Sequence, residues 1–283
     1  MYQPLECRPD SYREWYEQGN QLRAEGYYQE ALISYERAID YKPRDYWSWY
    51  RKGVVLEALG DYESAIASYT QANQIQPDNY WGWYELGCIH FIELKNYSEA
   101  IIYFERALQT HPQDYWATYR ISEAWRRLGQ YSKAILHYDR ALKLRPQDFW
   151  SLYRCGEALQ ESGNENLALE YYDRALEIEP NDYWAWYRKG TILNQLQQWD
   201  LALLSCDRAL ALEPKFDLAY YQKACCYVRL GDRNLAIINL EKAIDLYPQK
   251  YLELAKVDSI WQDFRSKLGF QLLLTNKSRK YGC

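Results

Sequence analysis

The sequence predicts an all-α solenoid, a tandem array of seven helical hairpins closed by a C-terminal capping helix, and three observations carry that expectation. Seven of the nine prolines, at 43, 77, 112, 146, 180, 214 and 248, are spaced by 34, 35, 34, 34, 34 and 34 residues. Two alanine series keep the same step: Ala31, Ala65, Ala100, Ala134, Ala168, Ala202 and Ala236, then Ala38, Ala72, Ala107, Ala141, Ala175, Ala209 and Ala243. The third observation is composition. Hydrophobic residues make up 48% of the 283, yet mean hydropathy is -0.62 because 30 Tyr and 12 Trp carry polar atoms. That content supplies a core and excludes intrinsic disorder, and a fixed period of this length marks units that bury their apolar faces only against their neighbours.

Residues 1–11 read as an N-terminal tail, with Pro4 and Pro9 and no hydrophobic signal core. The repeats follow at 12–45, 46–79, 80–114, 115–148, 149–182, 183–216 and 217–250. Numbering each from Tyr12, Tyr46, Tyr80, Tyr115, Phe149, Tyr183 and Asp217 lets one description serve all seven. Asp45, Asn79, Asp114, Asp148 and Asp182 stand just before the starts, where a short polar side chain caps a helix N-terminus. A first helix of about fourteen residues closes near Gly26, Gly60, Gly129, Gly163 or Gly231, suited to a left-handed C-terminal residue. A second helix carries both alanine series on one face, seven residues apart, and stops before the repeating proline, which lacks a donor. Gly19, Gly53, Gly87, Gly156 and Gly190 fall mid-helix at the eighth position, where glycine costs about 1 kcal/mol relative to Ala, so their recurrence needs a packing reason. Beyond 250, Tyr251, Leu254, Val257, Ile260, Trp261, Phe264 and Leu268 predict a capping helical segment over 251–275, followed by a short, basic, loose tail at 276–283.

With Trp15, Trp49, Trp83 and Trp186 at position four, Gly at eight, Ala at twenty and twenty-seven, Tyr35, Tyr69, Phe104, Tyr138 and Tyr172 at twenty-four and Pro at thirty-two, the chain resembles the tetratricopeptide repeat (TPR) family over residues 12–250. Departures are Thr118 and Leu152 at position four, Cys206 and Leu240 at twenty-four, and one inserted residue around 94–96. The resemblance implies a right-handed superhelix whose concave side, lined by the first helices, is where family members commonly bind their ligands.

At 100° per residue, positions two, five, nine, twelve and thirteen of the first helix share the side opposite the hairpin core. That side is aromatic: position two is Trp47, Trp81, Trp116, Trp150 and Trp184, and position five includes Tyr50, Tyr84, Tyr119, Tyr153 and Tyr187. Position six adds Arg51, Arg120, Arg154 and Arg188, each four residues after a position-two Trp and so placed to lie over its indole. These fourteen residues form the candidate peptide-binding face. The competing reading has each Trp packed on the preceding repeat and each Arg solvated or paired with a neighbouring Glu. Five half-exposed indoles would instead reach the few hundred Å² at which apolar patches mark binding sites.

Catalysis is not expected. His90, His111 and His137 have no ligand or triad partners at recognisable spacing, and no phosphate loop, GxSxG or HExxH occurs. The seven cysteines show neither CxxC spacing nor even number, so no metal site, cofactor or disulfide framework is expected, and a cytoplasmic protein is. No run of about 18 apolar residues predicts a membrane helix. The family's carboxylate clamp needs Lys at five and Asn at nine, whereas position five is Tyr in every repeat here. The rival to a protein partner is single-stranded RNA, because interleaved aromatics and arginines hold single strands. Arg23, Arg51, Arg120, Arg126, Arg127, Arg154, Arg188 and Arg229 oppose Glu17, Glu57, Glu85, Glu123, Glu157 and Glu161, leaving the stripe at +2 in a chain of -5. That is far from the basic groove counterion release requires. The expectation is a non-enzymatic scaffold binding an extended or helical peptide segment of another protein, with nucleic acid disfavoured and self-association through the aromatic groove or cap as a further alternative.

Overall fold

Every short polar residue expected to cap a helix does so in the computed structural model, which describes residues 11–282. Asp45 accepts from the Ser48 amide at 2.8 Å, Asn79 from Trp81 at 3.2 Å, Asp114 from Ala117 at 2.6 Å, Asp148 from Ser151 at 2.7 Å and Asp182 from Ala185 at 2.6 Å. Those bonds satisfy amides that have no partner inside the helix. The described residues contain α-helices and one 3-10 turn, with no strand.

The described residues divide into two compact units, 11–144 and 145–282. The first holds α1 (Tyr12–Ala24), α2 (Tyr28–Tyr41), α3 (Tyr46–Ala58), α4 (Tyr62–Ile75), α5 (Tyr80–Ile92), α6 (Tyr97–Thr110), α7 (Tyr115–Arg127) and α8 (Tyr131–Leu144), packed as consecutive hairpins. The second holds α9 (Phe149–Glu161), α10 (Glu165–Ile178), α11 (Tyr183–Gln195), α12 (Trp199–Leu212), α13 (Asp217–Leu230) and α14 (Arg233–Leu246), again as hairpins. It continues with α15 (Pro248–Val257), the 3-10 turn Ser259–Trp261, α16 (Gln262–Arg265) and α17 (Leu268–Tyr281).

The mid-helix glycines explain the closeness of each hairpin. A Cβ on Gly19 would lie 2.8 Å from the Tyr35 ring, on Gly53 2.7 Å from Tyr69 and on Gly87 2.6 Å from Phe104. The position-eight glycine is thus the seat of the position-twenty-four aromatic, and both alanine series beside it are fully buried. The turn between the two helices of a hairpin needs one left-handed residue. Glycine supplies it in five repeats, and Lys95 (φ 53°) and Gln197 (φ 61°) supply it in the other two.

Two expectations are refined and one is corrected. The first helices run 13 residues except α13, which has 14. The last repeating proline does not simply end a helix: Pro248 opens α15, because a missing amide costs nothing in a helix's first turn. The loose tail expected from 276 is helix as far as Tyr281, since α17 lies along α14, with the Lys277 ammonium on Glu241 at 2.8 Å and Asp245 at 2.7 Å, and the Tyr281 hydroxyl donating to Asp245 at 2.7 Å.

Candidate functional site

Tryptophans at positions two and four of the first helix have opposite fates. Three of those at four are tied down: Trp49, Trp83 and Trp186 donate their indole N–H to the carbonyls of Pro43, Pro77 and Pro180 at 2.9, 2.8 and 2.8 Å. Each such bond staples a first helix to the proline turn that precedes it. Those at two face outward, with Trp47 39%, Trp81 49%, Trp116 49%, Trp150 53% and Trp184 38% exposed. Each of the five is thus partly packed and partly in water. Among the described residues the indole N–H groups of Trp47, Trp81, Trp150 and Trp184 make no protein hydrogen bond. Each exposed indole leaves on the order of 100 Å² in water, so Trp47, Trp81 and Trp116 alone give unit one roughly 300 Å² of apolar surface.

The indoles are exposed but not loose. Trp47 stands edge-on to Tyr46 (ring centroids 5.0 Å, 90°), Trp81 to Tyr80 (5.3 Å, 85°), Trp116 to Tyr115 (5.0 Å, 73°) and Trp150 to Phe149 (5.2 Å, 77°). Trp184 packs against Phe216 at 4.9 Å. Beneath them the position-one ring faces the position-five tyrosine, as in Tyr80–Tyr84 at 5.3 Å and Tyr115–Tyr119 at 5.9 Å. Consequently Tyr50 and Tyr153 are buried, and Tyr84, Tyr119 and Tyr187 are half-buried. The tyrosines are the floor on which the tryptophans stand, a fixed platform that loses little side-chain entropy on binding.

The arginines divide. Arg154 lies over the Trp150 ring at 5.9 Å, the stacking expected from i,i+4 spacing. Arg51 lies over Tyr50 at 5.6 Å and Arg120 over Phe91 of the preceding repeat at 5.5 Å. Arg188 is drawn to Glu157 of the preceding repeat at 2.9 Å, and that carboxylate also holds Arg154 at 2.7 Å. Arg126 is paired with Glu123 at 2.9 Å in the same way. The paired arginines are set by carboxylates at position nine: three residues after Arg154, three residues before Arg126, and on the preceding repeat for Arg188.

Two acids of the charged stripe, Glu57 and Glu85, are brought together on unit one in a way their spacing does not show. Glu85 accepts from the Tyr50 hydroxyl at 3.1 Å and Glu57 from Tyr69 at 3.0 Å. Burial and then the charge of Glu57 push the Glu85 carboxyl up to about 7, and burial raises Glu57 as well. Their nearness depends on how α3 and α5 pack, which no spacing within one repeat reveals. His90 packs on Tyr103 and His111 on Tyr80, both as ring contacts at 5.1 and 5.0 Å.

Family models for tetratricopeptide repeats match residues 16–80, 82–114, 149–182, 183–216 and 218–250, and a TPR repeat model matches 123–163. The chain belongs to the tetratricopeptide repeat family. No curated protein matches it by sequence. Among solved structures it is similar to the C-terminal part of a TPR repeat-containing protein from Cytophaga hutchinsonii, with 17% identity, a TM-score of 0.72 and coverage of 84% of this chain and 98% of that one. A TPR protein from Parabacteroides merdae aligns with 15% identity and a TM-score of 0.60 over 95% of this chain and 99% of that one. YrrB, described as a TPR protein with an unusual peptide-binding site, aligns with 22% identity and a TM-score of 0.58 over 67% of this chain and 98% of its own. At these identities the likeness is one of fold. TPR arrays are interaction modules, and this chain is accordingly a protein-interaction scaffold. No helix among the described residues is long and apolar enough to cross a membrane.

Proposed function

We propose that this TPR chain is a non-enzymatic, cytoplasmic scaffold that seats an extended or helical peptide segment of a partner protein against the position-two tryptophans of its first helices. The observation that carries the reading is the contrast between the two sets of indoles: Trp49, Trp83 and Trp186 at position four spend their N–H on proline carbonyls, while those at position two stand half in water on rigid aromatic supports. A wide indole with an unspent donor, as at Trp47, Trp81, Trp150 and Trp184, suits a peptide, whose apolar or proline side chains stack on the ring while a backbone carbonyl takes the N–H. The solved TPR structure described as having a peptide-binding site lends the fold precedent for this use. The pairing of Arg126, Arg154 and Arg188 with Glu123 and Glu157 reduces the positive charge available to a nucleic-acid backbone, which weighs against the RNA alternative. Arg51 and Arg120 are the position-six cations with no carboxylate partner among the described residues.

The test is affinity capture from a native extract with the wild-type chain beside W47A/W81A/W116A, after circular dichroism has shown the variant to be folded. A discrete protein retained by the wild type and lost from the variant is the expected result. Equal capture by both, or enrichment of RNA in place of protein, would sink the reading.

A further inference from the structure

Position six of the first helix changes sign from repeat to repeat across unit one: after Glu17 on α1, which Arg13 holds at 2.8 Å, come three further charges, Arg51 on α3, Glu85 on α5 and Arg120 on α7. None of the three has an ion-pair partner among the described residues. The Glu85 carboxylate has only the Tyr50 hydroxyl at 3.1 Å, and Glu57, which stands near it, has only the Tyr69 hydroxyl at 3.0 Å. The Nε atoms of Arg51 and Arg120 are buried without a hydrogen-bond partner, their guanidinium planes held over Tyr50 and Phe91. Unit two treats the same position differently, because Arg154 and Arg188 there converge on Glu157. Unit one thus keeps three partly buried charged groups of alternating sign, with no salt-bridge partner among the described residues, beside the exposed Trp47, Trp81 and Trp116, each sitting four residues after its indole.

Desolvated charges are costly unless paired. The cost shows at Glu85, whose carboxyl is pushed up to about 7 by burial and by Glu57, the state of a carboxylate waiting for a cation. Glu57 also feels Glu93 at the end of α5, so the acids of this stretch repel one another, and among the described residues neither Glu57 nor Glu85 has a salt bridge to a basic side chain. An occupant that matches the face must supply the missing charges in order.

Resting on the peptide-scaffold reading, we propose that the segment seated on unit one carries one basic side chain flanked on both sides by acidic ones: Glu85, reinforced by Glu57, receives the lysine or arginine, and Arg51 and Arg120 receive the acids. The indoles supply the apolar contact common to any peptide, and the alternation selects which peptide. A uniformly acidic segment meets Glu57 and Glu85, and a uniformly basic one meets Arg51 and Arg120, so each is rejected by like charge at one site or the other.

The probe is a random dodecapeptide display library panned on the full chain at moderate salt, with selected peptides resynthesised and titrated against wild type, W81A, E57Q/E85Q and the charge-inverted R51E/E85R/R120E. The Gln pair keeps acceptors for Tyr50 and Tyr69, so it preserves the fold if the inverted chain does not. Expected are Trp81-dependent peptides with an acidic, basic, acidic order, about tenfold weaker on E57Q/E85Q, with the inverted order selected by the inverted chain. Trp81-dependent peptides that lack a basic residue, or bind E57Q/E85Q as tightly as wild type, overturn this inference and leave the scaffold reading standing. A library that yields no Trp81-dependent peptide overturns both.

Discussion

Glu85 shows how much one side chain's surroundings decide. Its ordinary carboxyl value is 4.5, and burial together with Glu57 raises it to about 7 in the folded chain. Between those two values the native state binds more protons than the unfolded state, so stability falls as pH rises from about 4.5 to 7 and stays lower above it. The raised Glu57 acts in the same direction, while Tyr50, Tyr69 and Cys88 around them stay neutral across that range, their own values lifted by burial. E85Q is therefore expected to stabilise the chain at pH 8, by on the order of 1 kcal/mol after discounting for the carboxyl's partial exposure, and to change little at pH 4. Urea unfolding at both pH values checks it, and an equal effect at each would refute the assignment. Glu57 and Glu85 could be found in the sequence as acids on the right face but not as a pair. Their coupling is a product of inter-helix packing, whereas Trp47, Trp81, Trp116, Trp150 and Trp184 announced themselves by position alone.

Helix ends do more than terminate helices. Asp114 caps α7 and also accepts the Tyr80 hydroxyl at 3.0 Å, binding the start of α5 to the start of α7. Asp61 caps only its own α4, through the Ser64 amide at 3.1 Å. D114A leaves a buried phenol unpaired as well as a helix uncapped, so it should cost about 2 kcal/mol where D61A costs about 1. Thermal or urea melts of the two variants decide, and equal losses would mean that the tyrosine link contributes nothing. The caps, the glycine turns and the alanine faces were readable because each rests on local chemistry repeated in one register. The α17 extension through Tyr281 was not, because Lys277, Arg279 and Lys280 look like a solvated basic tail until the acids of α14 are placed beside them. Lys95 and Gln197 escaped for a related reason: the left-handed turn is imposed by the hairpin, and a residue that merely tolerates it leaves no mark.

A repeat array holds together through neighbour contacts, so its stability is spread along the chain and its ends need closing. In unit two the closure is aromatic. Trp261 is fully buried, faces Phe270 at 5.7 Å and Phe264 at 5.3 Å, and donates its indole N–H to Tyr221 of α13 at 3.2 Å. W261A should cost about 3–5 kcal/mol and speed amide exchange first in α13–α17, with α9 and α10 less affected. Uniform exchange through the unit would contradict a neighbour-coupled array. The same residue type thus closes the core at 261, staples turns at 49, 83 and 186, and faces solvent at 47, 81, 116, 150 and 184. Whether that last set holds the partner is decided by fluorine NMR of the 5-fluorotryptophan-labelled chain, with signals assigned by single Trp→Phe replacements. Titrating in the partner segment recovered by capture should shift the signals of Trp47, Trp81 and Trp116 and protect them from a soluble paramagnetic probe, while the buried Trp261 signal stays in place. A complex that forms with those three signals unmoved would contradict the account.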